Sequence, residues 1–418
     1  MKDETARRKI INDPVHGFIN INGGLLYDLI QDPWFQRLRY IRQLGLTDNV
    51  YPGASHTRFI HSIGSLCLVN QAIAALRLKG INIEVDEEEA LQVAILFHDV
   101  GHGPFSHALE HLLVNSISHE DISLFIMKII NREYNDRLSM AIEMFTGKYH
   151  RKFFHDLISS QIDMDRLDYL VRDSFFTGVI EGSVGADRII KMLNVYDDRL
   201  VVEEKGIYSI EKFLIARRLM YWQVYMHKTV ISAEKLLVNI IKRARELVFS
   251  GFEPDSGKEI LFFLHNNFKK DEFIELNERS DTIAANFLAI DDNELVATIR
   301  KWTKSRDSVL ADLSQRLLYR NFFAIELSSE PFSGERLEKI DRLVCEQMKI
   351  DREVSNYYVF SGSVSNLTYA PSAPRVRILD KRGVTREITE VSDILDHKAL
   401  SREITKFYIC YPKEIRDL

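Results

Sequence analysis

Apolar residues recur at helical spacing through the first two thirds of the chain. Asp32-Pro33 reads as an N-cap followed by proline at the first helical position, and Gly45 closes that segment. Between them Trp34, Leu38 and Ile41 form an apolar face, while Arg39, Arg42 and Gln43 fall on a polar sector. Thr57 is placed to cap a longer helix in which Ile60, Ile63, Leu66 and Val69 face inward, ending at Lys79-Gly80. Asp86 and Glu89 have capping-box spacing ahead of an apolar run that ends at His98, and Ser118 with Glu120 and Asp121 opens another helix. Residues 199–209 read as a short hairpin, with strands at Arg199 and Gly206 on either side of a charged turn. One very long amphipathic helix is expected from Ile210 to Phe249.

Beyond Pro254 the pattern changes. Residues 255–350 read as further helices with many surface charges. From Asn356 short β-rich runs appear at Tyr357-Tyr-Val-Phe, Val376-Arg-Ile-Leu, Glu387-Ile-Thr and Phe407-Tyr-Ile-Cys, with a turn signal at Asp380-Lys-Arg-Gly383. The expected fold is mainly α: a helical bundle over residues 1–250 and a smaller mixed α+β lobe over 251–418 packed on it. No internal repeat or low-complexity linker separates the two.

Composition narrows the class of protein. A chain of 418 residues, 45% hydrophobic and 28% charged, is ordinary for a soluble globular protein. A net charge of −6 and a pI near 6.1 argue against nucleic acid as the main partner, while leaving room for a local basic pocket. Cys67, Cys345 and Cys410 lie far apart, outside any metal-ligand spacing, and read as buried residues in a reducing compartment. No uncharged stretch is taken to reach the roughly 20 residues that a membrane span needs, and Met1–Thr5 leads into no apolar stretch. A cytoplasmic protein without a membrane partner is the expectation.

The chemistry concentrates at His98-Asp-Val-Gly-His102-Gly-Pro-Phe-Ser-His107, behind the apolar lead-in Ala94–Phe97. An adjacent His-Asp pair offers a metal one imidazole nitrogen and one carboxylate oxygen, and Gly101, Gly103 and Pro104 then turn the chain. Upstream, His61 sits near a helix start with Arg58 one turn earlier. Downstream, Asp163–Asp173 reads as a helix on which Asp165, Tyr169 and Arg172 share a face. Two imidazoles and two carboxylates would suit one divalent transition metal, whether zinc, iron, manganese, nickel or cobalt.

Several strings in this order resemble the HD-domain phosphohydrolases, and among them the deoxynucleoside triphosphate triphosphohydrolase (dNTPase) branch. They are Asn12-Asp-Pro-Val-His-Gly17, Phe35–Leu44, Pro52–His61, the decapeptide, Ser118-His-Glu120 and Asp163–Asp173. The resemblance is close over roughly residues 9–230 and looser beyond. It implies an HD core near residues 50–180, with His61, His98, Asp99 and Asp165 as metal ligands. It further implies His107 as the catalytic histidine, with Glu110, His119 and Glu120 orienting it. Arg58, His102 and Arg166 would meet the phosphates, and Gln43, Leu44, Tyr169, Asp173, Arg217 and Tyr225 would complete the substrate pocket. Gln43 and Asp173 would lie towards the sugar 3′-hydroxyl, and Tyr225 against the sugar face.

The implied substrate is a dNTP, with magnesium accompanying the nucleotide. The resemblance also implies a homo-oligomer, a tetramer or dimer, and a regulatory site for an activating nucleotide that includes Asn12, Gln36 and Arg39. One departure bears on that site: Gln31 stands where the vertebrate branch has a guanine-reading carboxylate, and an amide cannot make the same acceptor-only contact. Two other readings stand beside the dNTPase: another HD phosphohydrolase acting on nucleoside monophosphates or cyclic nucleotides, and a nucleotide-sensing or nucleic-acid-binding protein with a vestigial site. Retention of all four ligands and His107 weighs against the last.

Overall fold

The long apolar segments form the interior helices of a mainly α structure, seen in a computed structural model that describes residues 8–106, 109, 117–270, 272, 279, 281–366, 375–394 and 403–415. An N-terminal hairpin, β1 (Lys9–Asp13) and β2 (Gly17–Ile21), precedes the short helices α1 (Leu25–Gln31) and α2 (Pro33–Gln36). The helical pattern does not announce this hairpin; its turn is an Asx turn in which Asp13 Oδ1 accepts from the Val15 and His16 amides.

Asp32 caps α2 as expected, its side chain accepting from the Trp34 amide. The helix expected to run on to Gly45 instead tightens to a 3₁₀ turn over Arg37–Tyr40, and Ile41 is extended. Tertiary demands override the periodicity here. Arg37 is buried and donates to the Ile290 and His102 carbonyls, while Arg42 bridges to Thr57 as an isolated β-pair.

The core is built on α3 (Arg58–Leu78) and α4 (Val85–Phe97), which pack on each other. Thr57 occupies the N-cap position of α3 without a side-chain cap bond, and the helix ends at Lys79-Gly80. Residues 59–76 carry no Asp, Glu, Lys or Arg, so α3 has the length and composition to cross a membrane, contrary to expectation. Its position explains the composition: the helix is largely buried among the others. The capping box of α4 lies at Glu84 and Glu87, two residues before the expected pair, and every residue from Ala90 to Phe97 is buried. A helix apolar on all sides belongs in the core.

Ser118 caps α5 (His119–Glu133) in a capping box with Asp121, as expected. After α6 (Ser139–Phe145) and α7 (Lys152–Ile158), α8 (Met164–Thr177) packs on α3 and ends at the left-handed Gly178. Gly64 permits that contact: a Cβ there would come 2.1 Å from both Arg172 Nη2 and Asp168 Oδ1.

Helix α9 (Ala186–Met192) leads into a hairpin, β3 (Leu193–Tyr196) and β4 (Arg199–Glu203). The hairpin is shifted from its expected place. Its turn is Asp197-Asp198, both left-handed, and Gly206-Ile-Tyr enters α10 (Ile207–Met220) instead. The expected single helix to Phe249 is interrupted by a π turn at Tyr221–Tyr225, and His227 caps α11 (Lys228–Phe249). π segments of this kind re-aim side chains and cluster at functional sites.

The remaining helices include α12 (Lys258–His265), α13 (Thr282–Ala289), α14 (Asp292–Trp302), α15 (Ser308–Leu318) and α16 (Gly334–Met348). Three strands, β5 (Ala324–Ser328), β6 (Phe360–Asn366) and β9 (Ile404–Tyr411), form an antiparallel sheet in the order β5-β9-β6. β7 (Arg377–Leu379) and β8 (Thr385–Glu387) join the β3–β4 hairpin, with β4 and β7 parallel. The expected strand at Glu387-Ile-Thr turns helical at Ile388, whose amide bonds the Val376 carbonyl.

Candidate metal and phosphate site

Three segments converge on one point. His61 comes from the first turn of α3, His98 and Asp99 from the C-terminal end of α4, and Asp165 from the first turn of α8. His61 Nε2 lies 3.3 Å from His98 Nε2, 3.0 Å from Asp165 Oδ1 and 3.6 Å from Asp99 Oδ2. His98 Nε2 lies 3.4 Å from both Asp99 Oδ1 and Asp165 Oδ1. His61, His98 and Asp99 are buried, and the Asp165 side chain, 28% exposed, is where the cluster opens.

The donor set fits a divalent cation. His61 Nδ1 donates to Asp168 Oδ2 at 2.7 Å, and His98 Nδ1 donates to the Ile95 carbonyl at 2.6 Å. With protons on both Nδ1 atoms, two Nε2 lone pairs and two carboxylates face one another, an arrangement that calls for a positive charge between them. Ligands about 2.1 Å from an ion stand about 3.0–3.4 Å from one another, which matches these separations apart from the 3.6 Å between His61 and Asp99. Burial alone would lower the His61 pKa, but the hydrogen-bonded Asp165 and Asp168 carboxylates raise it, the same demand for positive charge at Nε2 that a bound cation would meet. Asp165 is held well below its usual range against burial, chiefly by its bonds to His61 and His98.

A buried ionic network stands behind His61. Asp168 accepts from His61, from His16 Nε2 at 2.6 Å, and from Arg172 Nε and Nη2 at 2.8 and 2.9 Å. Arg172 Nη1 continues to Asp13 Oδ2 at 2.8 Å. Arg172 therefore belongs to this network, although it shares a helix side with Asp165 and Tyr169. Asp168, His16 and Asp13 were not singled out from the sequence. The signal was present in Asp168 and Arg172 at i, i+4 and in the Asp13–His16 string.

Beside the cluster, Arg58 pairs with Asp99 through Nη1 and donates Nε–H to Ser106 Oγ at 2.9 Å, leaving Nη2 without a hydrogen bond among the described residues. His102 Nε2 lies 3.3 Å from Asp99 Oδ1, and its ring stacks on His119 at 3.9 Å. Burial, with Arg58 and His119 adding to it, holds the His102 pKa well below that of an ordinary imidazole. Arg166, next to Asp165 in the chain, donates to the Ser160 carbonyl and Asp163. Glu120 is exposed on the first turn of α5. His107 and Glu110 lie outside the described residues.

A second polar cluster lies further along α8. Asp173 accepts from His56 Nε2 and from the Tyr225 hydroxyl, each at 2.8 Å. The Tyr225 ring meets Tyr169 edge-on at 6.2 Å, and Leu44 is half-buried against the core. Gln43 Oε1, His56 Nδ1 and Arg217 Nε are buried without hydrogen-bond partners, while Arg217 Nη1 reaches Gln161. Of the residues expected at a regulatory site, Asn12 is exposed on β1, and Gln36 accepts from Arg39, whose guanidinium lies over Phe59.

The family described as "HD domain" matches residues 58–173, and "HD associated region" matches residues 184–251. An uncharacterized protein of Bacillus subtilis is 30% identical over 98% of this chain and 93% of its own length. A deoxynucleoside triphosphate triphosphohydrolase SAMHD1 homolog of Dictyostelium discoideum is 31% identical over 62% of this chain, and the match spans 54% of that protein. The crystal structure of a phosphohydrolase from Bacteroides thetaiotaomicron superposes with a TM-score of 0.93 at 48% identity, covering 97% of this chain and 100% of that one.

Proposed function

Since the chain belongs to the HD-domain phosphohydrolase family, we propose that it hydrolyses deoxynucleoside triphosphates, converting a dNTP and water to deoxynucleoside and inorganic triphosphate. One observation carries this reading: Asp173, two turns beyond Asp165 on α8, accepts from His56 and Tyr225, and Gln43 Oε1, His56 Nδ1 and Arg217 Nε are buried without partners. Such orphans are rare in folded proteins and are expected where a ligand completes the bonding. A free 3′-hydroxyl on a deoxyribose would meet Asp173 and Gln43, which a 3′,5′-cyclic substrate cannot offer. The activity named for the Dictyostelium relative supports the same substrate class.

His61, His98, Asp99 and Asp165 would hold the ion, which when bound supplies positive charge against a phosphate oxygen and acidifies water near neutral pH. Arg58, fixed by Asp99 and Ser106, presents Nη2 to a phosphate oxygen as a planar, permanent charge. His102, held beside Asp99, lies next to Arg58 where the phosphates would bind, and Arg166 adds positive charge next to Asp165. In this scheme His107 protonates the departing 5′-oxygen of the deoxynucleoside, with Glu110, His119 and Glu120 orienting it. Tyr225 packs on the sugar and disfavours a 2′-hydroxyl.

The test is to incubate the protein with each dNTP and a panel of divalent metals and to identify products by chromatography. Deoxynucleoside and triphosphate should appear in equal amounts. Orthophosphate and dNDP as the main early products would refute the reading.

A further inference from the structure

The turn that carries Ser106 is held from the other half of the chain. Phe105 and Ser106 are consecutive non-glycine residues in the left-handed region, both with φ of 53°. Such a pair persists only when its surroundings impose it. The imposing group is the Asp292 carboxylate at the first residue of α14, itself buried. Asp292 Oδ1 accepts from the Phe105 amide at 2.8 Å, and Oδ2 accepts from the Arg42 amide at 2.9 Å. The Ser106 hydroxyl donates to the Arg42 carbonyl at 3.0 Å, which closes a ring of hydrogen bonds through Asp292, Arg42 and Ser106. From that ring Ser106 Oγ accepts Arg58 Nε–H, and Arg58 in turn pairs with Asp99. A second connection runs in parallel. Arg37 binds the Ile290 carbonyl just before α14 and the His102 carbonyl in the same loop.

We propose that Asp292 is a positioning residue for Arg58, holding the Phe105–Ser106 turn so that the guanidinium faces the phosphates of the substrate. This rests on the phosphate role given to Arg58 in the proposed function. Among the described residues Asp292 bonds the Arg42 and Phe105 amides, and neither the candidate metal donors nor the polar cluster around Asp173. Its effect must therefore travel through the turn.

Asp292→Asn keeps the shape but puts an NH₂ against one of two backbone N–H groups, so one acceptor contact is lost. Weaker placement of Arg58 should raise KM for a dNTP and weaken binding of inorganic tripolyphosphate by about tenfold, with kcat falling less and bound metal unchanged. Ser106→Ala cuts the same route downstream, so the double variant should lose no more than the worse single one. A merely structural contact would lower Tm and the active fraction without moving KM. Unchanged KM and tripolyphosphate affinity in folded Asp292→Asn, or losses that multiply in the double variant, would overturn the inference. If Asp292→Asn does not fold, Ser106→Ala alone must still raise KM and weaken tripolyphosphate binding, and wild-type values there overturn it. A wild-type protein that binds tripolyphosphate but releases none from any dNTP removes the substrate reading alone, since the binding comparison still decides the role of Asp292. A wild type that binds none removes both.

Discussion

Replacing Asp168 with Asn should separate metal affinity from substrate binding. The carboxylate accepts four hydrogen bonds: Oδ1 from His16 and Arg172 Nη2, Oδ2 from His61 and Arg172 Nε. An asparagine retains one oxygen, and its NH₂ must then face two donors. If the NH₂ faces His61, that imidazole keeps its bond only by accepting at Nδ1, which moves its proton to Nε2 and towards the other metal donors. If it faces His16 and Arg172 Nη2, the guanidinium loses a charged partner inside the core and depends on Asp13. Removing one member of a buried ion pair costs about 3–5 kcal/mol, and losing the partner of a metal-bound histidine costs about 10–100-fold in affinity. Metal-free protein unfolded in urea should show the first loss, and competition against a chromophoric chelator the second. Tripolyphosphate affinity at saturating metal should stay near wild type. Wild-type metal affinity in a folded Asp168→Asn protein would refute the argument that this network fixes the His61 tautomer.

Two further predictions follow from other parts of the molecule. His107→Ala should retain metal and nucleotide affinity while losing about 10²–10⁴ in rate, as expected for a general acid or base; loss of the ion, or normal turnover, would exclude that role. Burial pushes the Glu234 carboxyl on α11 up to about 7 from an ordinary 4.5, with Lys235 opposing. Its ionisation therefore penalises the fold increasingly as pH rises from 4.5 through about 7, and not below. Glu234→Gln should stabilise the protein by about 1–3 kcal/mol at pH 8 and hardly at all at pH 4.5; urea unfolding at the two pH values reads the difference, and an equal effect at both would remove burial as the cause.

What the sequence disclosed depended on how local the determining physics was. Caps and breaks are local, so Asp32, Ser118 and Lys79-Gly80 mark true helix ends. The segment from Arg37 to Leu44 carries helical periodicity but is drawn out of the α-helix, into a 3₁₀ turn and an isolated bridge, by partners more than 200 residues away, the Ile290 carbonyl and the Asp292 carboxylate. Nothing in a local window can report those. The break between α10 and α11 is of the same kind, since the π turn places the Tyr225 hydroxyl on Asp173 of another helix.

The site divides along a similar line, and α8 shows why. Asp165, Tyr169 and Asp173 stand at i, i+4 and i+8, and eight residues of helix advance about 12 Å along the axis. One stripe thus runs from Asp165, a candidate metal donor, at the first turn to the second polar cluster two turns later, and its polar residues are conspicuous in the sequence for that reason. Asp168 and Arg172 occupy the adjacent stripe, against α3, where charged residues are read as an ordinary surface pair unless the opposing face is known. Only the close approach at Gly64 reveals that this pair is buried and bonded to His61. The residues that would act on substrate were legible because their chemistry is unusual in sequence; those that hold them became legible only once the helices were placed against each other.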